Sequence, residues 1–186
     1  MGWFYFTGLV GHAGTSLMHN QQIIRKINFP RLVLPLAKAL SGLVELGITL
    51  VLLIILIFFS DLHFSLQLAM LPLAVLLNMF SGLAIGVWLS ALTVRYRDLH
   101  HIIPYLVGFG IWLTPVFYPT TVVPETYKWV YYLHPIANVI SLYRWIFIHT
   151  TVDWLQLFSS MVLCVALLVS GLLYFIRNEK FIAEHL

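Results

Sequence analysis

Eight histidines, seven acidic and ten basic residues hold most of the ionisable chemistry of this 186-residue chain, and their spacing suits few reactions. His100 and His101 are adjacent. Neighbouring helical positions point about 100° apart, a poor arrangement for one tetrahedral metal. His12, His19, His63, His134, His149 and His185 are scattered and read as loop or interface residues. No HExxH, GxSxG or GxxxxGK[ST] occurs, so neither a zinc hydrolase, a serine hydrolase nor a P-loop ATPase is written here. Cys164 is the one cysteine and lies in an apolar run, where it reads as a small packing residue. An intramembrane enzyme acting on a lipid-linked sugar would need Glu45 with His100 or His101. Those histidines belong some five turns of helix from the membrane middle.

Lys38 and Glu45 are the charges that stand out. With Ser41, Gly42 and Thr49 they recur at three- and four-residue steps, which places them on one face of a helix otherwise made of Leu, Ile, Val and Phe. That face is expected to meet protein or water, in the bundle interior or a pore. Lys38 is near enough to a helix end to snorkel. A carboxylate near mid-bilayer costs about 2.5–3.5 kcal/mol on insertion scales, so Glu45 is expected to be protonated, paired or facing a polar cavity.

The elements that must position these groups are membrane spans. The chain is 61% hydrophobic and only 9% charged, against about 25% charged for a soluble domain. It cannot cover a water-facing surface and is an all-α integral membrane protein. Five apolar segments predict five spans, at about 3–18, 33–59, 67–92, 102–118 and 154–176, in one domain. The first begins abruptly, without a basic region or cleavage site, and reads as the tail of a span that starts upstream. "GLAIG" at 82–86 is a GxxxG pattern that permits close helix packing.

Loop charges orient the spans. Arg25, Lys26 and Arg31, then Arg95 and Arg97, then Arg177 and Lys180 alternate onto one side, the cytoplasmic side. The scattering of these charges argues against a nucleic-acid partner. The stretch 119–150 is apolar, but a crossing there would reverse Arg177 and Lys180. It is expected to dip and return on the outer face, broken by Pro119, Pro124 and Pro135. Its aromatics, Tyr118, Tyr127, Trp129, Tyr131, Tyr132 and Trp145, form either an interfacial belt or the lining of an exit. Arg144 joins them.

Between the first two segments, 20–28 predicts a short amphipathic helix. Ile23, Ile24 and Ile27 fall on one side, Gln21, Arg25 and Lys26 on the other, and Asn20 can cap it. So short a helix needs support, from headgroups or from a partner protein.

Several motifs in order then carry a resemblance: "IRKINFPRLVLPLAKALSGLVE", "ALTVRYRDLHHIIPYL", "LTPVFYP", "YLHPIANVISLYRW" and the ending "YFIRNEKFIAEHL". Together they resemble type-2 ABC exporter permeases of the class that exports polysaccharide, O-antigen, capsule and teichoic acid. The resemblance implies six spans, a homodimer in a bacterial cytoplasmic (inner) membrane, and a lipid-linked polymer as substrate. It also implies a separate ABC ATPase that holds ATP and magnesium, with no cofactor in this chain. Ile23, Ile24, Arg25, Lys26 and Ile27 then match a coupling helix. The turn Arg95, Tyr96, Arg97 and Asp98 would brace it. Lys38, Ser41, Glu45 and Thr49 would face the pore or bundle interior. Tyr118, Pro119, Trp129, Tyr131, Tyr132 and Arg144 would belong to an outer gate. A permease of the same fold for a drug or small lipid is the alternative.

The topology is checked by labelling. In a single-cysteine background, Asn178→Cys should react only after the membrane is permeabilised. Labelling from outside intact cells would overturn the orientation.

Overall fold

Long runs of Leu, Ile, Val and Ala, uninterrupted by polar residues, must satisfy their backbone groups internally, and they fold as helices. The computed structural model describes residues 1–27, 29–59, 66–118, 122–127 and 129–178, with only the backbone of Arg25, Glu125, Tyr131 and Tyr132. The helices are α1 (Gly2–Gly14), α2 (Ser16–His19), α3 (Gln21–Lys26), α4 (Val33–Phe58), α5 (Leu71–Arg95), α6 (Leu99–Leu113), α7 (Trp129–Leu133), α8 (Pro135–Ile148) and α9 (Trp154–Arg177). Short 3-10 turns at Leu66–Met70 and Glu125–Tyr127 precede α5 and α7. Among the described residues there is no strand.

Three helices are long and apolar enough to cross a membrane: Val33–Phe58, Leu66–Arg95 and Trp154–Arg177. They agree closely with three of the expected segments. The other two come out shorter. The segment 3–18 is broken at Thr15 into α1 and α2, because the Thr15 and Ser16 hydroxyls bond back to the carbonyls of Gly11 and Ala13 at 2.8 and 2.7 Å. The segment 102–118 ends as helix at Leu113 and turns through 114–118. At about 1.5 Å per residue, the 13 residues of α1 and 15 of α6 fall short of a ~30 Å core.

α5 is the centre of the bundle. α1 and α9 pack on it in the same direction, as hydrogen bonds along its length show. Asn78 Nδ2 donates to Gly2 O at 3.0 Å, and Thr93 Oγ1 donates to Gly14 O at 2.9 Å. On the other side Cys164 Sγ meets Ser81 Oγ at 3.6 Å, and Trp88 Nε1 donates to Leu167 O at 3.0 Å. The basic ends of α5 and α9 therefore lie together, as the loop charges require. Gly82 and Gly86 form the contact with α1. A Cβ on Gly82 would lie 2.6 Å from Leu9 Cδ2, and one on Gly86 2.8 Å from Ala13 Cβ. The GxxxG pattern is thus a packing surface. Gly171 serves α9 in the same way beneath Trp88.

The region before α9 dips and returns. Pro135 O lies 3.4 Å from Ser81 Oγ, well inside α5, whereas the other end of α8 reaches Gln67 through His149. α8 stops at His149, whose φ of 59° is left-handed.

Gly86→Ala should lower stability by about 1–3 kcal/mol, since Ala13 Cβ cannot rotate aside. Adding Ala13→Gly removes the clashing methyl. The double variant should recover most of the lost melting temperature in detergent. No recovery would mean the two helices do not meet at this point.

Candidate functional site

Three surfaces bear the residues singled out from sequence. The first is the short helix α3 with its neighbours at the basic end. Ile24 is 8% exposed and packs with Leu17, Val94 and Phe175. Ile23 and Ile27 are 47% and 59% exposed and point away from the chain. The expected single apolar side is therefore split. One isoleucine joins the buried cluster shared with residues of α2, α5 and α9, while two remain exposed. Lys26 is exposed, and the side chain of Arg25 lies outside the described residues. Asn20 does not cap the helix. Its Nδ2 donates to Ser16 O at 2.7 Å, back toward α2. The helix is also shorter than expected, six residues, and ends where Ile27 becomes extended. The turn at 95–98 lies at the same end. Arg95, Tyr96, Arg97 and Asp98 are all exposed, and the Arg95 guanidinium sits 5.6 Å from the centre of the Tyr96 ring.

The second surface is the stripe on α4. Lys38, Ser41, Glu45 and Thr49 do share a face, but it is exposed rather than buried in this chain's bundle. Of the two expected settings, bundle interior or pore, the interior of this single chain's bundle is not where the stripe lies. Ser41 and Thr49 donate to Ala37 O and Glu45 O, both at 2.9 Å, so their hydroxyls are satisfied within the helix and need no partner. What remains is Lys38 and Glu45, which line a cleft of about 260 Å³ against Phe4, Gly8 and His12 of α1. Tyr5 closes its floor, with its hydroxyl donating to Ala39 O at 3.2 Å.

Sequence reasoning missed a feature beside it. Tyr105, Phe109 and Trp112 of α6 are 80%, 64% and 68% exposed and follow one another at i, i+4 and i+7. Phe117 adds a fourth ring, 6.0 Å from Trp112. The spacing was present in the sequence, but aromatic residues are ordinary in an apolar span and do not stand out there.

The third surface is the dip-and-return. Arg144 holds it to the end of α6. Its two terminal nitrogens donate to Tyr118 O at 3.0 Å and Val116 O at 2.7 Å. The Tyr118 hydroxyl turns back to Leu113 O at 3.1 Å. Trp129 is exposed on α7. Pro119 lies outside the described residues, as do the side chains of Tyr131 and Tyr132. Arg144 is thus a clamp on backbone carbonyls, a role that its position among aromatics did not reveal.

Comparison with known proteins agrees with this architecture. Residues 1–148 match the family model of the ABC-2 type transporter. The chain belongs to this family. This ABC-2 type transporter chain is also similar to the O-antigen export system permease protein RfbA of Klebsiella pneumoniae, 24% identical over 183 residues covering 98% of this chain and 71% of the relative. It is 26% identical to the RfbA of Myxococcus xanthus over 183 residues, 96% of this chain and 70% of that protein. The resemblance to type-2 exporter permeases therefore stands, and with it the all-α, multi-pass membrane fold. The ABC-2 match runs through α8, so all three surfaces lie within it.

Removing the clamp should loosen the outer turn without unfolding the bundle. Arg144→Met removes two charge-assisted hydrogen bonds, each worth about 1.5–3 kcal/mol. Amide exchange at 114–118 should rise while exchange in α5 stays unchanged. Unchanged exchange at 114–118 would show that another contact holds the turn.

Proposed function

We propose that this chain is the permease subunit of an ATP-driven exporter that moves a lipid-linked polysaccharide across the bacterial cytoplasmic membrane. The observation that carries this reading is the aromatic face of α6. Tyr105, Phe109 and Trp112 lie in file along the bundle axis and outside it. The flat C–H faces of sugar rings pack against aromatic rings, and rings one helical turn apart offer successive units equivalent sites. A drug or a small lipid needs one pocket rather than a track. The similarity to O-antigen export permeases over nearly the whole chain supports the same choice.

In this reading a second copy of the chain faces the first across the open side of α1, α4 and α6, and Lys38 and Glu45 meet water in the passage between them. No nucleotide-binding motif is present in this chain, so the work comes from a separate ABC ATPase that holds ATP and magnesium. Exposed Ile23 and Ile27 suit a cleft on that partner, and buried Ile24 passes its movement to α5 and α9.

Ile23→Ser with Ile27→Ser removes about 1.5–3 kcal/mol of burial for each side chain that the partner covers. The intact permease carrying both changes should lose co-purifying ATPase or export, with its own melting temperature unchanged. Normal ATPase binding together with normal export would mean that α3 rests on the membrane instead.

A further inference from the structure

A groove of about 680 Å³ runs between α1 and α6 and opens at the basic end of the bundle. His12, His19, His100 and His101 line it, and among the described residues no acidic residue does. The His19 and His100 rings lie 5.0 Å apart, and those of His100 and His101 5.2 Å. The separation in sequence hid this cluster: α1 and α2 bring His12 and His19, and the first turn of α6 brings the adjacent pair. Toward the middle of the bundle the walls become apolar, through Ile103, Pro104 and Val107.

We infer that this groove binds a phosphate group, with His19, His100 and His101 as its ligands. The donors fit. His19 Nδ1 lies 3.1 Å from Thr15 O, and a carbonyl only accepts, so Nδ1 carries a hydrogen and Nε2 is left to meet a ligand. His100 Nδ1 is buried without a hydrogen-bond partner among the described residues. A phosphate monoester carries both acceptor oxygens and, when singly ionised, a P–OH donor, so it matches imidazole in either protonation state. The N-terminal end of α6, where His100 and His101 sit, adds a favourable dipole. A metal fits less well, since among the described residues no group of three His, Cys, Asp or Glu is placed to hold one. The apolar walls beyond the histidines suit the chains of a phospholipid whose headgroup stays at the polar end. The inference does not depend on the polysaccharide reading, because it requires only a phosphate at this depth.

The test uses the intact permease with histidine labelled for NMR, in phosphatidylcholine nanodiscs. Adding phosphatidic acid to the nanodiscs, or inorganic pyrophosphate to the buffer, should shift the imidazole signals of His19, His100 and His101. Shifts with phosphatidic acid alone identify a lipid headgroup. Shifts with pyrophosphate alone identify a soluble phosphate, and shifts with both identify a site that accepts either. His19→Gln, His100→Gln and His101→Gln together should reduce bound phosphatidic acid at least tenfold by native mass spectrometry. Signals that respond to neither probe, or that respond only to Zn²⁺, would overturn the inference. Undiminished lipid binding by a folded triple variant would overturn it as well.

Discussion

The close approach of α1 to α5 is the constraint on which the remaining packing depends. In lipid there is little hydrophobic gain from pressing two apolar helices together, so contact must come from fit and hydrogen bonding. Gly82 and Gly86 supply the fit, letting Leu9 and Ala13 sit against the α5 backbone. Asn78 and Thr93 bind the two ends of α1 to α5 by its own carbonyls, Gly2 O and Gly14 O. Both side chains are fully buried, so each bond forms where water cannot compete. With Gly2 and Gly14 both held to α5, the tilt of α1 follows that of α5.

That attachment sets the geometry of the basic end. Thr93 holds the end of α1, α2 follows at once, and Leu17 drops into the cluster with Val94 and Phe175. α3 can then leave in one direction only, with Ile24 as its inward residue. The same attachment brings His19 beside His100, since α6 begins a short turn after α5 ends. One helix pair therefore positions two surfaces that are far apart in sequence.

The long spans were legible because lipid imposes a simple rule: long apolar segments must be helices. The alternation of basic loops also led to the expected dip-and-return of 119–150, and among the described residues Pro135 O does reach Ser81 within α5. Less legible was anything decided by the facing element. Nothing in "QQIIRKI" distinguishes Ile24, which is buried in the cluster with Leu17, Val94 and Phe175, from Ile23 and Ile27, which stay exposed. The α4 stripe was read correctly as one face, but its surroundings depend on α1, which leaves that face open. Ser41 and Thr49 looked like partners for a polar lining, yet their hydroxyls are spent on their own helix. Arg144 was expected in an outer gate among aromatics, and its carbonyl partners lie in a turn that no periodicity describes.

The two sides of the bundle differ in how far they are finished. On the α9 side the polar groups Trp88, Ser81 and Cys164 meet partners within the chain. On the α4 and α6 side, Lys38, Glu45 and three aromatic rings face outward. Glu45 decides what that open side can face. An ionised carboxylate turned toward hydrocarbon would be costly, and His12 and Lys38 share its cleft without enclosing it. Lipid alone is therefore a poor neighbour for this face, and the proposed passage against a second copy would supply it with water. Under the same proposal the exposed rings of α6 would border that passage, so one requirement for water and one for stacking would be met together.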